Sequence, residues 1–272
     1  MSAVALQAFL DAAPEVALVE VAEAKGSTPR EKGTRMLVSP SAIFGTIGGG
    51  QLEYMAIDQA RALLAGQKTP TLLDVPLGPE IGQCCGGRVE VAIRRIDKAL
   101  RAELVATAKA DDAARPHVLV FGGGHVGHAL AVAFALLPVQ VVVVETRADA
   151  LDGMPDQVET RLTPMPEEMV RDAPPGAAFV VLTHDHALDF MIAAEALQRR
   201  DAAYVGMIGS KTKKATFRSW FNAAGGAEAD FARLVCPIGG SVKDKRPAVI
   251  AAMAAAEVMA ALVVHAAPVE AR

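Results

Sequence analysis

Aromatic residues are scarce in this chain. Of 272 residues, nine are Phe, two Tyr and one Trp. That argues against a base-stacking platform, which needs several exposed rings along a groove. Excess positive charge is missing too: 27 Lys and Arg stand against 31 Asp and Glu, a net charge of −4. Phosphate-backbone binding needs a clustered cationic surface, so no nucleic-acid partner is expected. Cysteine is limited to three residues, two of them adjacent (Cys84, Cys85), which is no disulfide framework. The stretch Met1 to Leu10 lacks the positive charge that precedes a signal-peptide core. Long apolar runs are lacking as well. Ala248 to Val264 contains Glu257 and is short for a membrane span, and Ala129 to Val144 is broken by Pro138 and Gln140. Free thiols without an export signal point to a reducing compartment. The expectation is a cytoplasmic protein with no membrane segment.

What is present is a core of Ala, Val, Leu, Ile and Met in a chain long enough for two domains. The N-terminal third mixes element types. Residues 2–12 read as a helix, Val16 to Ala22 as a strand, and Thr34 to Val38 with Ala42 to Ile47 as a hairpin about Ser39-Pro40-Ser41. A helix is predicted from Gln51 to Leu64, where Leu52, Met55, Ala56, Ala60 and Leu63 recur at helical spacing. Val89, Val91 and Ile93 alternate with polar neighbours, as in an edge or half-buried strand. A charged, Ala-rich stretch over 98–115 then ends at Pro116 and reads as a linker. Beyond it, short apolar strands (Val118 to Phe121, Val139 to Val144, Phe179 to Leu182, Tyr204 to Ile208) alternate with helical stretches. That alternation implies a doubly wound parallel sheet. The fold class is therefore α/β: a smaller N-terminal α+β domain over 1–97, and a Rossmann-like parallel-sheet domain over 116–272.

Several motifs carry chemistry. Gly122, Gly124 and Gly127 fit G-x-G-x-x-G directly after a strand and at the start of a helix. One glycine makes the tight turn, one admits a phosphate to the backbone, and one lets helix and strand pack closely. Glu145 ends the next strand, where an acidic group would meet a ribose hydroxyl. The alternative is that the glycines only make the turn. Gly82-Gln83-Cys84-Cys85-Gly86-Gly87 frames two thiols with glycine. Thiolates bind soft metals and sulfur species, although two small residues in a turn would also suffice. Gly48-Gly49-Gly50 ends a strand and opens a helix bearing Glu53. It is either a backbone anion site or a capped turn. His184 and Asp185 lie at the end of a strand, where ligands sit in open α/β sheets, while Asp185 equally suits a helix cap. Gly209 to Lys214 opens a helix with a small basic cluster, a phosphate site or a solvated face. No zinc-ligand spacing links the histidines.

Together these stretches resemble the xanthine dehydrogenase accessory protein family of the XdhC and CoxI type. The matching segments are Gly26 to Arg30, Gly45 to Glu53, Gly82 to Gly87, Leu119 to Gly127, Thr183 to Asp189, Tyr204 to Lys214 and Leu234 to Ile250. They occur in the family's order along nearly the whole chain. The resemblance implies a molybdenum-cofactor chaperone rather than an enzyme. Such a protein protects the molybdopterin-based cofactor, supports its sulfuration by a cysteine desulfurase, and inserts it into apo xanthine dehydrogenase. It implies cofactor contacts at Gln83, Cys84, Cys85, Gly48, Gly49, Gly50, Glu53, Gly122, Gly124, Gly127, His184 and Asp185. Cys84 and Cys85 are the side chains able to touch molybdenum, and a nucleotide is a further possible ligand. Glu145-Thr146-Arg147 departs from the family's Asp-rich strand end and leaves the ribose contact open. The competing class is an NAD(P)-dependent oxidoreductase using the Rossmann loop. The Ala-rich helix from Ala248 to His265 suggests a homodimer, since small side chains permit close packing.

Overall fold

The computed structural model describes residues 2–78, 86–240 and 243–266. The chain divides into two compact units, Met1–Ala114 and Arg115–Arg272.

The N-terminal unit is an antiparallel sheet covered on both faces. Its strands are β1 (Ala17–Lys25), β2 (Arg35–Val38), β3 (Ile43–Gly45), β4 (Leu72–Pro76) and β5 (Arg88–Arg95), in the order β3-β2-β1-β5-β4. Alternation along the strands decides which helix packs where. Val19, Val21, Met36, Val38, Val89, Val91 and Ile93 face α2 (Gly50–Leu64), which answers with Leu52, Ala56, Ile57, Ala60 and Leu64. Leu18 and Leu37 point to the other face, against α1 (Ala3–Ala12) and α3 (Lys98–Ala113). The run Val89, Val91, Ile93 belongs to an internal strand, since β5 pairs with both β1 and β4.

The stretch read from the sequence as a linker is α3. Asp97 caps it by accepting the Leu100 N–H at 2.8 Å. Leu100, Leu104 and Ala108 recur at helical spacing and are buried with Leu6 and Leu10 of α1. Arg101 donates to the carbonyls of Leu10 (2.6 Å) and Ala13 (3.1 Å), which the end of α1 leaves without helical partners. The charged residues that suggested a linker are the solvent face of an amphipathic helix.

The C-terminal unit is a six-stranded parallel sheet. Its strands are β6 (His117–Phe121), β7 (Gln140–Glu145), β8 (Glu159–Leu162), β9 (Ala178–Val181), β10 (Tyr204–Met207) and β11 (Leu234–Val235), ordered β11-β10-β9-β6-β7-β8. Every adjacent pair is parallel. Read from β8, this is the 3-2-1-4-5-6 order of a dinucleotide-type fold, with its switch point between β6 and β9. One face packs on α4 (His125–Ala135) and α9 (Pro247–Ala266) through Val118, Val120, Leu130, Phe134, Ala254 and Val258. The other packs on α5 (Pro166–Asp172), α6 (His186–Gln198), α7 (Lys211–Ala223) and α8 (Glu228–Phe231) through Phe121, Phe179, Ile192, Phe217 and Phe231. At 20 residues α9 has the length and composition of a membrane-crossing helix. Its Ala251, Ala254, Ala255, Val258 and Leu262 are buried against this fold, and Glu257 accepts the Gly239 N–H at 2.7 Å.

Candidate functional site

In the N-terminal unit, three separate sequence segments meet. Gly48 is at φ +126°, and a Cβ there would lie 2.8 Å from Pro29 Cγ and 3.4 Å from Arg30 Cγ. The Gly26 to Arg30 loop therefore rests on the triple-glycine turn. Gly87 is equally tight: a Cβ would come within 2.3 Å of the Ser27 carbonyl oxygen and 2.7 Å of that of Lys25. The base of the β4–β5 connection is pinned to the same loop, with Gly86 N–H donating to Leu77 O and Leu77 N–H to Gly87 O, both at 2.8 Å. Arg30, Gly50 and Tyr54 are exposed around this junction, Tyr54 at 66%. Gln83, Cys84 and Cys85 lie outside the described residues, in the segment whose two ends are Gly78 and Gly86.

Glu53 organises the triple-glycine turn from within. Its Oε2 accepts from Thr46 Oγ1 (2.5 Å), Ile47 N–H (3.0 Å) and Gly49 N–H (3.0 Å), while Gly48 N–H donates to Thr46 Oγ1 at 3.1 Å. A carboxylate of the chain itself thus takes the backbone donors of Ile47 and Gly49 and complements the positive end of α2. Gly50 and Gln51 at the start of α2 are exposed, as is Arg30, and the first N–H groups of a helix have no acceptor within it. A cation beside helix N-terminal N–H groups is a donor set that suits an anion such as a phosphate.

In the C-terminal unit, the Rossmann loop divides its glycines by role. Gly122 is at φ +119°, and a Cβ there would sit 2.4 Å from Leu182 O. A Cβ on Gly123 would lie 2.2 Å from Ala150 O, and one on Gly127 only 2.0 Å from Gly122 O. These three are required by the protein's own packing. Gly124 differs: it caps α4 at φ −70°, and a Cβ would meet nothing within 4 Å. Its missing side chain leaves open the space at the N-terminus of α4 where a phosphate of a dinucleotide would lie, so the loop fits the group its fold implies.

Glu145, at the end of β7, is 3% exposed. Its Oε2 accepts from Gly123 N–H (2.9 Å) and Arg147 Nη2 (3.2 Å). Its Oε1 accepts from the N–H of Thr146 (2.7 Å) and of Arg147 (3.1 Å), and from Thr146 Oγ1 (3.1 Å). Burial pushes the carboxyl pKa up, but the Gly123 N–H, the Arg147 guanidinium and the N–H groups of Thr146 and Arg147 outweigh it and bring it to about 2. The sequence suggested a ribose acceptor here; the carboxylate instead lies beneath the loop, with its lone pairs committed.

A second polar cluster crosses the carboxyl edge of the same sheet. Asp189 is fully buried and accepts from Thr183 N–H and Oγ1, both at 2.8 Å, and from Lys213 Nζ. The Lys213 side chain is 10% exposed. Its stem passes Gly209, where a Cβ would meet Lys213 Cδ at 2.9 Å and Cys236 Sγ at 3.2 Å. Burial raises the Cys236 thiol pKa against the lowering effect of Lys213 and Lys214. Lys214 donates to Leu234 O at 3.1 Å. Two of the three lysines in the basic cluster are therefore used internally, which neither the phosphate reading nor the solvated-face reading foresaw. Asp185 caps α6 by accepting the Ala187 N–H at 2.7 Å, and His184 is exposed beside it. No group of His, Cys, Asp and Glu able to hold a metal occurs among the described residues.

Comparison with known families matches residues 118–258 to the XdhC Rossmann domain and residues 9–75 to the XdhC and CoxI family. The chain belongs to the XdhC family. A protein named YqeB from Escherichia coli (strain K12) is 25% identical over 253 residues, spanning 89% of this chain and 43% of that protein. The chain thus covers less than half the length of that relative. A crystal structure described as a xanthine dehydrogenase from Bacillus halodurans superposes with a TM-score of 0.82 at 17% identity, covering 98% of each chain. At that identity the likeness establishes the fold.

Within this XdhC chain, the predicted site residues fall into separate groups. Gly48, Gly49, Gly50 and Glu53 form one turn of the N-terminal unit. Gly122, Gly124 and Gly127 share the loop of the C-terminal unit, with His184 and Asp185 just beyond the neighbouring strand β9. The Thr183–Asp189–Lys213 cluster was not singled out from the sequence. An acidic residue in the first turn of the largely apolar α6, just beyond the end of β9, was the available signal.

Proposed function

We propose that this XdhC-family chain is a molybdenum-cofactor chaperone that serves the maturation of a xanthine-dehydrogenase-type enzyme. Family membership supports the accessory role. The observation that carries the cofactor reading is the junction in the N-terminal unit. The Gly26 to Arg30 loop, the Gly48 to Gly50 turn and the glycines ending the segment of Cys84 and Cys85 are packed together there. Arg30 and the first-turn N–H groups of α2 would hold the phosphate, and Glu53 would keep the turn in shape. Tyr54, exposed in the N-terminal half of α2, would cover the ring system. When bound, the cofactor supplies a soft, sulfur-rich molybdenum centre, for which thiolates are the matching side chains. In this reading the protein shields the cofactor, presents it to a cysteine desulfurase for sulfuration and releases it into the apo-enzyme. It acts in the cytoplasm, as a homodimer, without catalysis of its own.

Cys84→Ala and Cys85→Ala, singly and together, test this role. Adjacent Cα atoms lie about 3.8 Å apart, short of the span a standard bridge needs, so free thiols are expected. The expected result is a sharp fall in molybdenum and pterin bound per protein, with an unchanged melting temperature. Full loading of the double variant would show that the pair has no part in retention.

A further inference from the structure

We propose that the Rossmann unit binds a dinucleotide carrying a 2′-phosphate on its adenosine ribose, with Arg147 as the residue that selects it. In doubly wound sheets an acidic side chain at the end of the second strand accepts the ribose 2′-hydroxyl of NAD. An arginine nearby instead accommodates the 2′-phosphate of NADP. Here the acidic side chain is present but committed. Glu145 is buried and takes bonds from Gly123, Thr146 and Arg147 on its two oxygens. A carboxylate offers about four lone-pair sites, and these are filled. A ribose diol, which must donate to an acceptor, finds none there.

The outward group at this corner is the Arg147 guanidinium, 43% exposed, with one edge on Glu145. It offers donors and a positive charge, which match a phosphate monoester and not a hydroxyl pair. Its placement is fixed by the loop itself. Arg147 leads into the 3-10 turn Ala148–Leu151, whose Ala150 carbonyl oxygen would lie 2.2 Å from a Cβ on Gly123 and is 3.3 Å from His128 Nε2, from which it can only accept. The guanidinium is thus held beside the loop whose Gly124 leaves space for a pyrophosphate.

The inference concerns the C-terminal unit and is independent of the cofactor reading, which rests on the N-terminal one. The test is calorimetric titration of the purified chain with NADPH, NADH, 2′,5′-ADP and 5′-AMP at fixed ionic strength. NADPH is expected to bind at least about tenfold more tightly than NADH, the scale of one charge-assisted contact. 2′,5′-ADP should compete with it and 5′-AMP should not. Arg147→Gln should remove the preference through a loss of NADPH affinity of about tenfold. Gly124→Asn keeps a good helix cap, fills the open space, and should abolish binding of both dinucleotides at an unchanged melting temperature. Equal or tighter binding of NADH, or no binding of NADPH at millimolar concentration, would overturn the proposal. So would an Arg147→Gln protein that retains the preference.

Discussion

Asp189→Ala is expected to lower the stability of the C-terminal unit by about 3–5 kcal/mol, the cost of breaking a buried ion pair from one side. The substitution leaves the Lys213 ammonium buried without its carboxylate, and Thr183 N–H and Oγ1 without their shared acceptor. A small cavity adds to the loss. Urea denaturation followed by circular dichroism should show a lower midpoint at an unchanged slope. The paired change Asp189→Leu with Lys213→Met should recover most of the stability, because apolar residues of similar volume replace buried pairs at little cost. A loss below about 1 kcal/mol for Asp189→Ala would mean that the cluster is hydrated and only locally important.

The middle and last glycines of the Rossmann motif should respond differently to an added side chain. Gly127→Val places a Cβ 2.0 Å from Gly122 O, a backbone atom that cannot turn aside. Overpacking of this kind costs about 1–3 kcal/mol and more where backbone must shift, so a loss above about 3 kcal/mol is expected. Gly124→Asn enters open space at an ordinary backbone conformation and is expected to change stability by less than about 0.5 kcal/mol. Thermal melts of the two proteins check this directly. Comparable losses in both would show that Gly124 has a packing role and that its empty space is not reserved for a ligand.

Strands with hydrophobic or valine-rich runs were legible in the sequence, because β6, β7, β9 and β10 are buried on both faces of a parallel sheet. β8 was not: Glu159, Thr160, Arg161 and Leu162 are all exposed at the sheet edge, and their polar character guards an edge rather than marking a strand. β4 was missed for a similar reason, as an edge strand ending at Pro76. The α3 helix was hidden by its charged outer face, since Leu100, Leu104 and Ala108 are a narrow apolar stripe in an Ala-rich stretch.

The glycine motifs were visible as patterns, but their division of labour was not. Spacing cannot tell Gly127, which lies against a carbonyl, from Gly124, which lies against nothing. Nor does spacing say that Glu53 and Glu145 turn inward to hold their own loops. These are long-range contacts, and they decide which backbone donors are left for a ligand.

The central claim is that this chain carries molybdenum cofactor to a client enzyme. The most direct measurement loads the purified chain with molybdenum cofactor and quantifies bound molybdenum by mass spectrometry. The loaded protein is then mixed with apo xanthine dehydrogenase, and hydroxylase activity is followed against an equal amount of free cofactor. The account expects stoichiometric binding, transfer of molybdenum to the client, and faster and fuller activation than free cofactor gives. Absence of bound molybdenum, or activation no better than that by free cofactor, would contradict it.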